Sequence, residues 1–218
     1  MSPVLDAADP AARQAAAAAA EQGRVIVVPT DTVYGIAARL DRPAALAALF
    51  EAKARSPGLA LPVLVADTDQ ARMLATLDER AEALAAAFWP GGLTMVLSRH
   101  PLLTAAIGGD GTSVGIRVPN HPALALLLAQ TGPLATSSAN ISGRPTPDRI
   151  DDIHDLFADA VAVYLDGGPA DAGPPSTVVR LTDQTPVLLR EGAVPFAEVL
   201  QVLEGRGSPR ARGRGAAR

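Results

Sequence analysis

Apolar and polar positions along this chain fall into blocks whose lengths match helices and short buried strands. A stretch opening at Asp9 and Pro10 and closing at Gly23 carries six consecutive alanines. Its ends supply a capping side chain, a proline suited to a first turn and a glycine suited to an exit, so it predicts a helix. Residues 24–29 follow as a short apolar run of the kind buried on both faces of a sheet. A polar stretch at 30–35 separates it from a second predicted helix, opened by Pro43 and running to about Ala52, with Leu46, Leu49 and Phe50 on one side. A strand is predicted at 61–65, then two alanine-rich helices ending near Phe88 and broken by Pro90-Gly91-Gly92. Strands at 93–98 and 112–118, a helix from Pro122 to Gln130 and a strand at 133–137 come next. A helix near 148–157, strands at 161–165, 176–181 and 186–190, and a helix at 195–203 complete the pattern. Helices alternating with short strands define an α/β class, and the late run of strands predicts a mixed sheet. No internal repeat or inner linker divides the pattern, so one domain is expected over 1–204.

Composition narrows the functional classes. At 218 residues, 48% of them hydrophobic, the chain is long enough for a sizeable core. No apolar run approaches the roughly 18 residues of a membrane span, which argues against a transmembrane protein. The absence of cysteine removes disulfide frameworks, thiolate zinc sites and cysteine nucleophiles together. His100, His121 and His154 show no metal-ligand spacing, and His121, just before Pro122, is expected to help start a helix. Aromatics at 3% do not suit a base-stacking platform. The first helix is preceded by acids and lacks a basic leader, so no secretory signal is expected and the chain reads as cytoplasmic.

Charge is unevenly placed. The net charge is −4, yet residues 205–218 hold five arginines and no acid; without them 14 basic residues face 23 acidic ones, or −9. An acidic body disfavours general polyanion binding and leaves a local basic pocket open. The Arg/Gly-rich tail at 205–218 has no apolar periodicity and is expected to be disordered, either a solubilising end or an arm making a weak RNA contact. Basic charge is carried by eighteen arginines and one lysine, Lys53, a compact point charge in a chain that otherwise uses planar forks.

Four polar clusters lie at strand or helix ends, where open α/β sheets place ligands. Thr30-Asp31-Thr32-Val33-Tyr34-Gly35 follows a buried strand; it is either a ligand-binding turn or an ordinary one capped by Asp31. Lys53-Ala54-Arg55 forms a two-cation clamp if the helix has ended and the chain is extended there, since positions two apart on a helix diverge; otherwise it decorates a helix C-terminus. In the strand Ser113-Val114-Gly115-Ile116-Arg117, the apolar residues alternate inward and leave Ser113, Gly115 and Arg117 on one face. There an arginine fork can pair with a carboxylate or phosphate, or the face is simply a solvated one. Ser138 and Asn140, two apart after an apolar strand, are placed to meet one ligand if the chain is extended, with Ser176 and Arg190 as later companions. Hydroxyls, amides and cations without a histidine base or an obvious nucleophile suit binding of an anionic substrate and phosphoryl or nucleotidyl transfer.

Taken in order, Pro-Thr-Asp-Thr-Val-Tyr-Gly at 29–35, Lys-x-Arg at 53–55, Phe-Trp-Pro-Gly-Gly-Leu-Thr at 88–94 and Gly-Ile-Arg-Val-Pro-Asn-His-Pro at 115–122 resemble the YrdC family, the threonylcarbamoyl-AMP synthases. Ser-Ala-Asn-x-Ser-Gly at 138–143, Pro-Ser-Thr-Val-Val at 175–179 and Leu-Arg-Glu-Gly at 189–192 continue the resemblance, which runs from about residue 10 to residue 204. It implies a twisted mixed sheet with flanking helices around a concave basic cavity. It also implies an activity: threonylcarbamoyl-AMP and pyrophosphate made from L-threonine, bicarbonate and ATP with Mg2+, the product passing to a downstream complex that modifies tRNA. By motif, Thr32, Arg117, Ser138 and Ser176 would hold threonine, and Lys53, Arg55, Ser113, Asn140 and Arg190 would hold the nucleotide. Lys53 and Arg55 would act on the developing phosphate charge. Longer members carry an additional C-terminal domain, which a chain of this length is expected to lack. Where many members have Asn-Pro-Leu and then a histidine, this chain has Leu59, Ala60, Leu61 and Leu64, so those contacts are missing or replaced. Two readings compete: an RNA-binding or regulatory protein of the same fold without synthase activity, and carbamoyl transfer as in the related domain of hydrogenase-maturation proteins. The acidic body and few aromatics count against the first, and the absence of zinc-finger cysteines against the second.

Overall fold

The computed structural model describes residues 2–170 and 173–205. Most of the predicted tail, from 206 onward, lies outside the described residues. The chain runs β1 (Val4–Asp6), α1 (Pro10–Glu21), β2 (Ile26–Val28), β3 (Gly35–Arg39), α2 (Pro43–Ala52), β4 (Val63–Leu64), α3 (Thr68–Leu74), α4 (Glu79–Phe88) and β5 (Leu93–Ser98). It continues through β6 (Ser113–Arg117), α5 (Pro122–Thr131), β7 (Leu134–Ser138), α6 (Ile150–Phe157), β8 (Val163–Asp166), β9 (Thr177–Arg180), β10 (Val187–Arg190) and α7 (Phe196–Leu203).

Local chemistry sets the helix ends. Asp9 accepts a hydrogen bond from the Ala11 amide at 2.8 Å, Asp67 from Gln70 at 2.8 Å and Asp78 from Ala81 at 2.9 Å, each satisfying an orphan donor of a first turn. His121 does the same for α5, its Nδ1 accepting from the Leu124 amide, as its place before Pro122 suggests.

Among the described residues the ten strands form one sheet in the order β1-β8-β2-β3-β7-β4-β6-β5-β9-β10. Four of the neighbouring pairs (β1·β8, β2·β8, β4·β6 and β5·β9) are parallel and the others antiparallel, the mixed sheet the late strands predict. Two strands had no counterpart in the sequence pattern. β1 has only three residues at a sheet edge. β3 grows out of the polar turn with the poorly β-forming sequence Gly35-Ile36-Ala37-Ala38-Arg39, and pairing on both sides with β2 and β7 outweighs that preference.

The two faces of the sheet are covered unequally. On one face, Val27, Ile36, Val63, Met95 and Ile116 pack with Leu49 of α2, Leu84 of α4 and Ile153 of α6 in the larger core. On the other face, α1 and α5 cover only the region around β8, β2 and the near ends of β3 and β7, where Ile26, Val28, Ala37, Leu134 and Val163 meet Leu124, Leu127 and Leu128. The alanines of α1, with Ala16 and Ala20 fully buried, let that helix lie close to the strands. Beyond it, among the described residues, no helix of that layer covers the same face over β6, β5 and β9, and most of the polar side chains singled out from sequence project there.

Candidate functional site

Strand register determines which side chains reach this open face. Gly35 is paired with Ser138, Leu64 with Arg117 and Val96 with Gly115, so these positions share one side of the sheet. A cavity of about 450 Å³ lies on it, lined by Thr32, Arg55, Arg117, Ser138, Ser176 and Arg190 among others. Six of the nine residues singled out from sequence thus form one wall.

Arg117 anchors one part of the wall. Its Nε donates to the Gly91 carbonyl at 2.9 Å, Nη1 to Thr32 Oγ1 at 2.9 Å and Nη2 to Asp31 Oδ1 at 2.7 Å. Among the described residues these bonds use three of the five guanidinium N–H groups and leave one on each Nη for a ligand. The Asp31 pair is largely enclosed, with the Arg117 side chain 7% exposed and that of Asp31 16%. Burial lowers the Arg117 pKa, and the Asp31 carboxylate opposes that shift. Thr32 is fixed in turn by Thr30, whose Oγ1 accepts from the Thr32 amide at 3.1 Å and donates to the Val33 carbonyl at 2.7 Å.

Ser176 and Arg190 form the adjoining part. Arg190 donates to the Ser176 carbonyl from Nε at 3.1 Å and from Nη2 at 2.7 Å, and from Nη2 to Ser176 Oγ at 3.1 Å. That hydroxyl also meets Thr94 Oγ1 at 2.9 Å. The arrangement depends on close passage of the 191–194 segment over Ser176. A Cβ on Gly192 would stand 2.0 Å from the Pro175 carbonyl oxygen and 2.8 Å from the Ser176 carbonyl carbon. Gly192→Ala is therefore expected to lower stability by about 1–3 kcal/mol through displaced backbone. Denaturant unfolding checks this, and an unchanged midpoint would show that the crossing relaxes freely.

The Lys-x-Arg pair departs from the extended clamp expected of it. α2 ends at Ala52, and Ala54 turns the chain with a φ of 48°, a left-handed conformation. Lys53 goes inward and Arg55 outward. Lys53 is 1% exposed, and its Nζ donates to the Ser138 carbonyl at 2.5 Å, the Asn140 carbonyl at 2.5 Å and Asn140 Oδ1 at 3.1 Å. Asn140 is buried too: Oδ1 also accepts from Ser138 Oγ at 2.5 Å, and Nδ2 donates to the Ile141 and Arg144 carbonyls. Lys53 and Asn140 therefore stand behind the wall, holding the turn that presents Ser138. Arg55 is on the wall, with Nε donating to the Leu59 carbonyl at 3.1 Å and Nη2 to Ala60 at 2.9 Å. Leu59 and Ala60 thus orient Arg55 through their backbone, while the Leu64 side chain forms apolar floor. Ser113 lies on the same strand face, further out, its Oγ 3.5 Å from Asp110.

The electrostatics of these groups are those of a concentrated positive field. Burial and then the Arg55 charge push the Lys53 pKa down to about 8. Burial and then the Arg117 charge lower that of Arg190, and burial alone lowers that of Arg55. Neither Arg55 nor Arg190 pairs with a carboxylate among the described residues. An anion entering the cavity relieves this mutual repulsion, so the wall favours carboxylate and phosphate ligands.

Three participants carried no clear signal in sequence. Asp31 was legible only as a turn cap, whereas it is the counter-ion of Arg117, 86 residues away. Thr94 meets Ser176 across the β5–β9 pair, and Arg144 reaches the wall from the loop after Asn140. Only the order of strands in the sheet brings them together.

Fold and site together define a class: an α/β protein with an arginine-lined cavity on one half of a mixed sheet. Residues 18–192 match the family model Sua5/YciO/YrdC, described as telomere recombination, and the chain belongs to that family. A protein of Mycobacterium leprae is 41% identical over 208 residues, spanning 93% of this chain and 94% of its own. The threonylcarbamoyl-AMP synthase of Bacillus subtilis is 37% identical over 203 residues, spanning 91% of this chain and 58% of its own. The crystal structure of Pyrococcus abyssi Sua5 complexed with L-threonine superposes with a TM-score of 0.86 at 34% identity, covering 92% of this chain and 61% of that one. The chain thus spans about three fifths of the Bacillus and Pyrococcus proteins. Among the described residues no helix is long and apolar enough to cross a membrane.

Proposed function

We propose that this chain is a threonylcarbamoyl-AMP synthase, a nucleotidyltransferase that converts L-threonine, bicarbonate and ATP into threonylcarbamoyl-AMP and pyrophosphate. The observation that carries the proposal is the single cavity in which Thr32, Arg117 and Ser176 adjoin Arg55, Ser138 and Arg190. Relatives named for this activity, and a related protein seen with L-threonine, favour it over an RNA-binding role.

In this reading Arg117 offers its two uncommitted N–H groups to the threonine carboxylate, and Thr32, Ser138 and Ser176 surround the rest of the amino acid. Arg55 and Arg190 face the phosphates, Ser113 stands further out on the nucleotide side, and Lys53 adds its charge from behind the Ser138 turn, which Asn140 holds in place rather than touching the nucleotide itself. The hydrogen bond from Arg190 to Ser176 supports a side-by-side arrangement of the two substrates in this reading. The threonine nitrogen forms a bond to the carbon of bicarbonate, with loss of water, giving an N-carboxylate. An oxygen of that carboxylate then bonds the α-phosphorus as the α–β bridging bond breaks and its electron pair leaves with pyrophosphate. Two anions must approach, so fixed cations and a shared cavity lower the barrier by neutralisation and positioning. Among the described residues no three His, Asp or Glu side chains converge as ligands. Mg2+ would enter with the nucleotide as MgATP, consistent with its preference for phosphate and water. The unstable product would pass, in the cytoplasm, to a complex that transfers the threonylcarbamoyl group to tRNA.

The test is pyrophosphate release by the purified chain with MgATP, with and without L-threonine and bicarbonate, and mass detection of the mixed anhydride. Release requiring both co-substrates is expected. If ATP is left intact under conditions where a Bacillus synthase turns over, the proposal is wrong.

A further inference from the structure

The 142–146 loop brings another guanidinium to the cavity. Arg144 lies on its wall, exposed, and pairs with no carboxylate among the described residues. The backbone that carries it is held firmly. The Arg144 amide donates to the Ile141 carbonyl at 3.0 Å, its own carbonyl accepts from Asn140 Nδ2 at 2.5 Å, and the Ser142 amide donates to the Lys53 carbonyl at 3.2 Å. These bonds seat the loop against the Lys53 corner, from which Arg55 also emerges. The two arginines therefore approach the cavity from the same corner.

Their situations differ in a way that assigns different tasks. Arg55 is half-buried and committed to two carbonyls, so it is fixed in place. Arg144 is at the rim, and among the described residues none of its five side-chain donors is engaged, so they face a ligand that projects towards water. A carboxylate needs only one fork, and Arg117 supplies it deeper in the cavity. A chain of phosphates carries charge along its length, and its far end extends outward as its near end approaches the amino acid. Building on the synthase reading, we propose that Arg144 binds the β- and γ-phosphates of ATP, and hence the departing pyrophosphate, while contributing little to the adenylate or threonine portions.

The experiment compares wild type with Arg144→Ala and Arg144→Lys, binding three probes separately: tripolyphosphate, AMP and L-threonine. Arg144→Ala keeps the carbonyl that anchors Asn140 and removes only an exposed side chain, so folding is expected to be unaffected. Arg24→Ala, an exposed arginine outside the cavity, removes the same charge as a control. Tripolyphosphate affinity should fall about tenfold in Arg144→Ala, the loss of a charge-assisted fork, with partial recovery in Arg144→Lys and none of the effect in Arg24→Ala. AMP and threonine affinities should stay within about twofold, since they lose no direct partner. The difference between wild type and Arg144→Ala should shrink as salt rises, because the group is exposed. Equal losses for all three probes would overturn the proposal, as would unchanged tripolyphosphate binding or a wild type that binds no tripolyphosphate. If wild-type turnover fails while tripolyphosphate binding still depends on Arg144, the synthase reading is what fails and the phosphate site stands.

Discussion

Replacing Lys53 with alanine is expected to reduce adenylate formation about 10²–10³-fold, the loss typical of removing a fixed electrostatic group from a transfer site. Threonine binding should largely survive. The structure adds a second effect: Ser138 and Asn140 lose a donor shared by three oxygens behind the wall. Buried acceptors left unsatisfied cost about 1–3 kcal/mol each. Because carbonyls retain a second lone pair and Asn140 keeps its other bonds, we expect a total of about 3 kcal/mol. Lys53→Met separates packing from charge, since it keeps an unbranched stem, and should share the loss of turnover. Lys53→Arg should not rescue, because a planar fork cannot follow the three directions of an ammonium group. The pH dependence gives an independent check. With a folded pKa of about 8 against an ordinary 10.5, the unfolded chain binds more protons between those values. Stability therefore gains from Lys53 as pH rises through that window and loses the gain as pH falls through about 8. Turnover should move the other way, declining above about 8 as the ammonium charge is lost. Lys53→Met should lack the Lys53 contribution to the stability slope. A Lys53→Ala enzyme within tenfold of wild-type turnover would contradict this account.

Arg117→Ala should raise the threonine KM about a hundredfold, since truncating one partner of an enclosed charge pair commonly costs 2–5 kcal/mol of binding. The ATP KM should change much less. The same substitution strands Asp31, whose side chain is only 16% exposed. Removing one member of a fully buried pair costs about 3–5 kcal/mol. Asp31 keeps some contact with water, so about 2 kcal/mol of stability loss is expected. Adding Asp31→Asn should return most of that stability without restoring threonine use, which separates the structural part of the pair from its binding part. Steady-state kinetics on both substrates, with denaturant unfolding of the single and double variants, decide the matter. If the ATP KM rises as much as the threonine KM, Arg117 is not the carboxylate anchor.

The elements that sequence patterning located well are those whose ends carry local chemistry. α1 begins one residue after its cap at Asp9, and β5 spans the expected 93–98. Patterning failed at β3, whose alanines and glycine form a strand only because β2 and β7 flank it. The site shows the same division. Alternation along β6 correctly placed Ser113, Gly115 and Arg117 on one face, because a strand's period belongs to its own backbone. The direction of Lys53 was not legible, because it depends on the left-handed turn at Ala54 and on oxygens supplied by residues more than 80 positions away. Asp31 was missed for the same reason: its partner is distant in sequence and becomes adjacent only when β6 takes its place in the sheet.

The single lysine has a consequence for covalent chemistry. Because Lys53 is enclosed and the other basic side chains are guanidinium or imidazole groups, the folded chain exposes no side-chain amine. Acylating agents and enzymes that attach acyl groups or protein tags to lysine find no acceptor on its surface, the α-amino group aside. Control of this protein by lysine acylation would require opening the turn at Ser138. Amine-directed immobilisation of the folded chain would hold it by its terminus alone and leave the cavity unmodified.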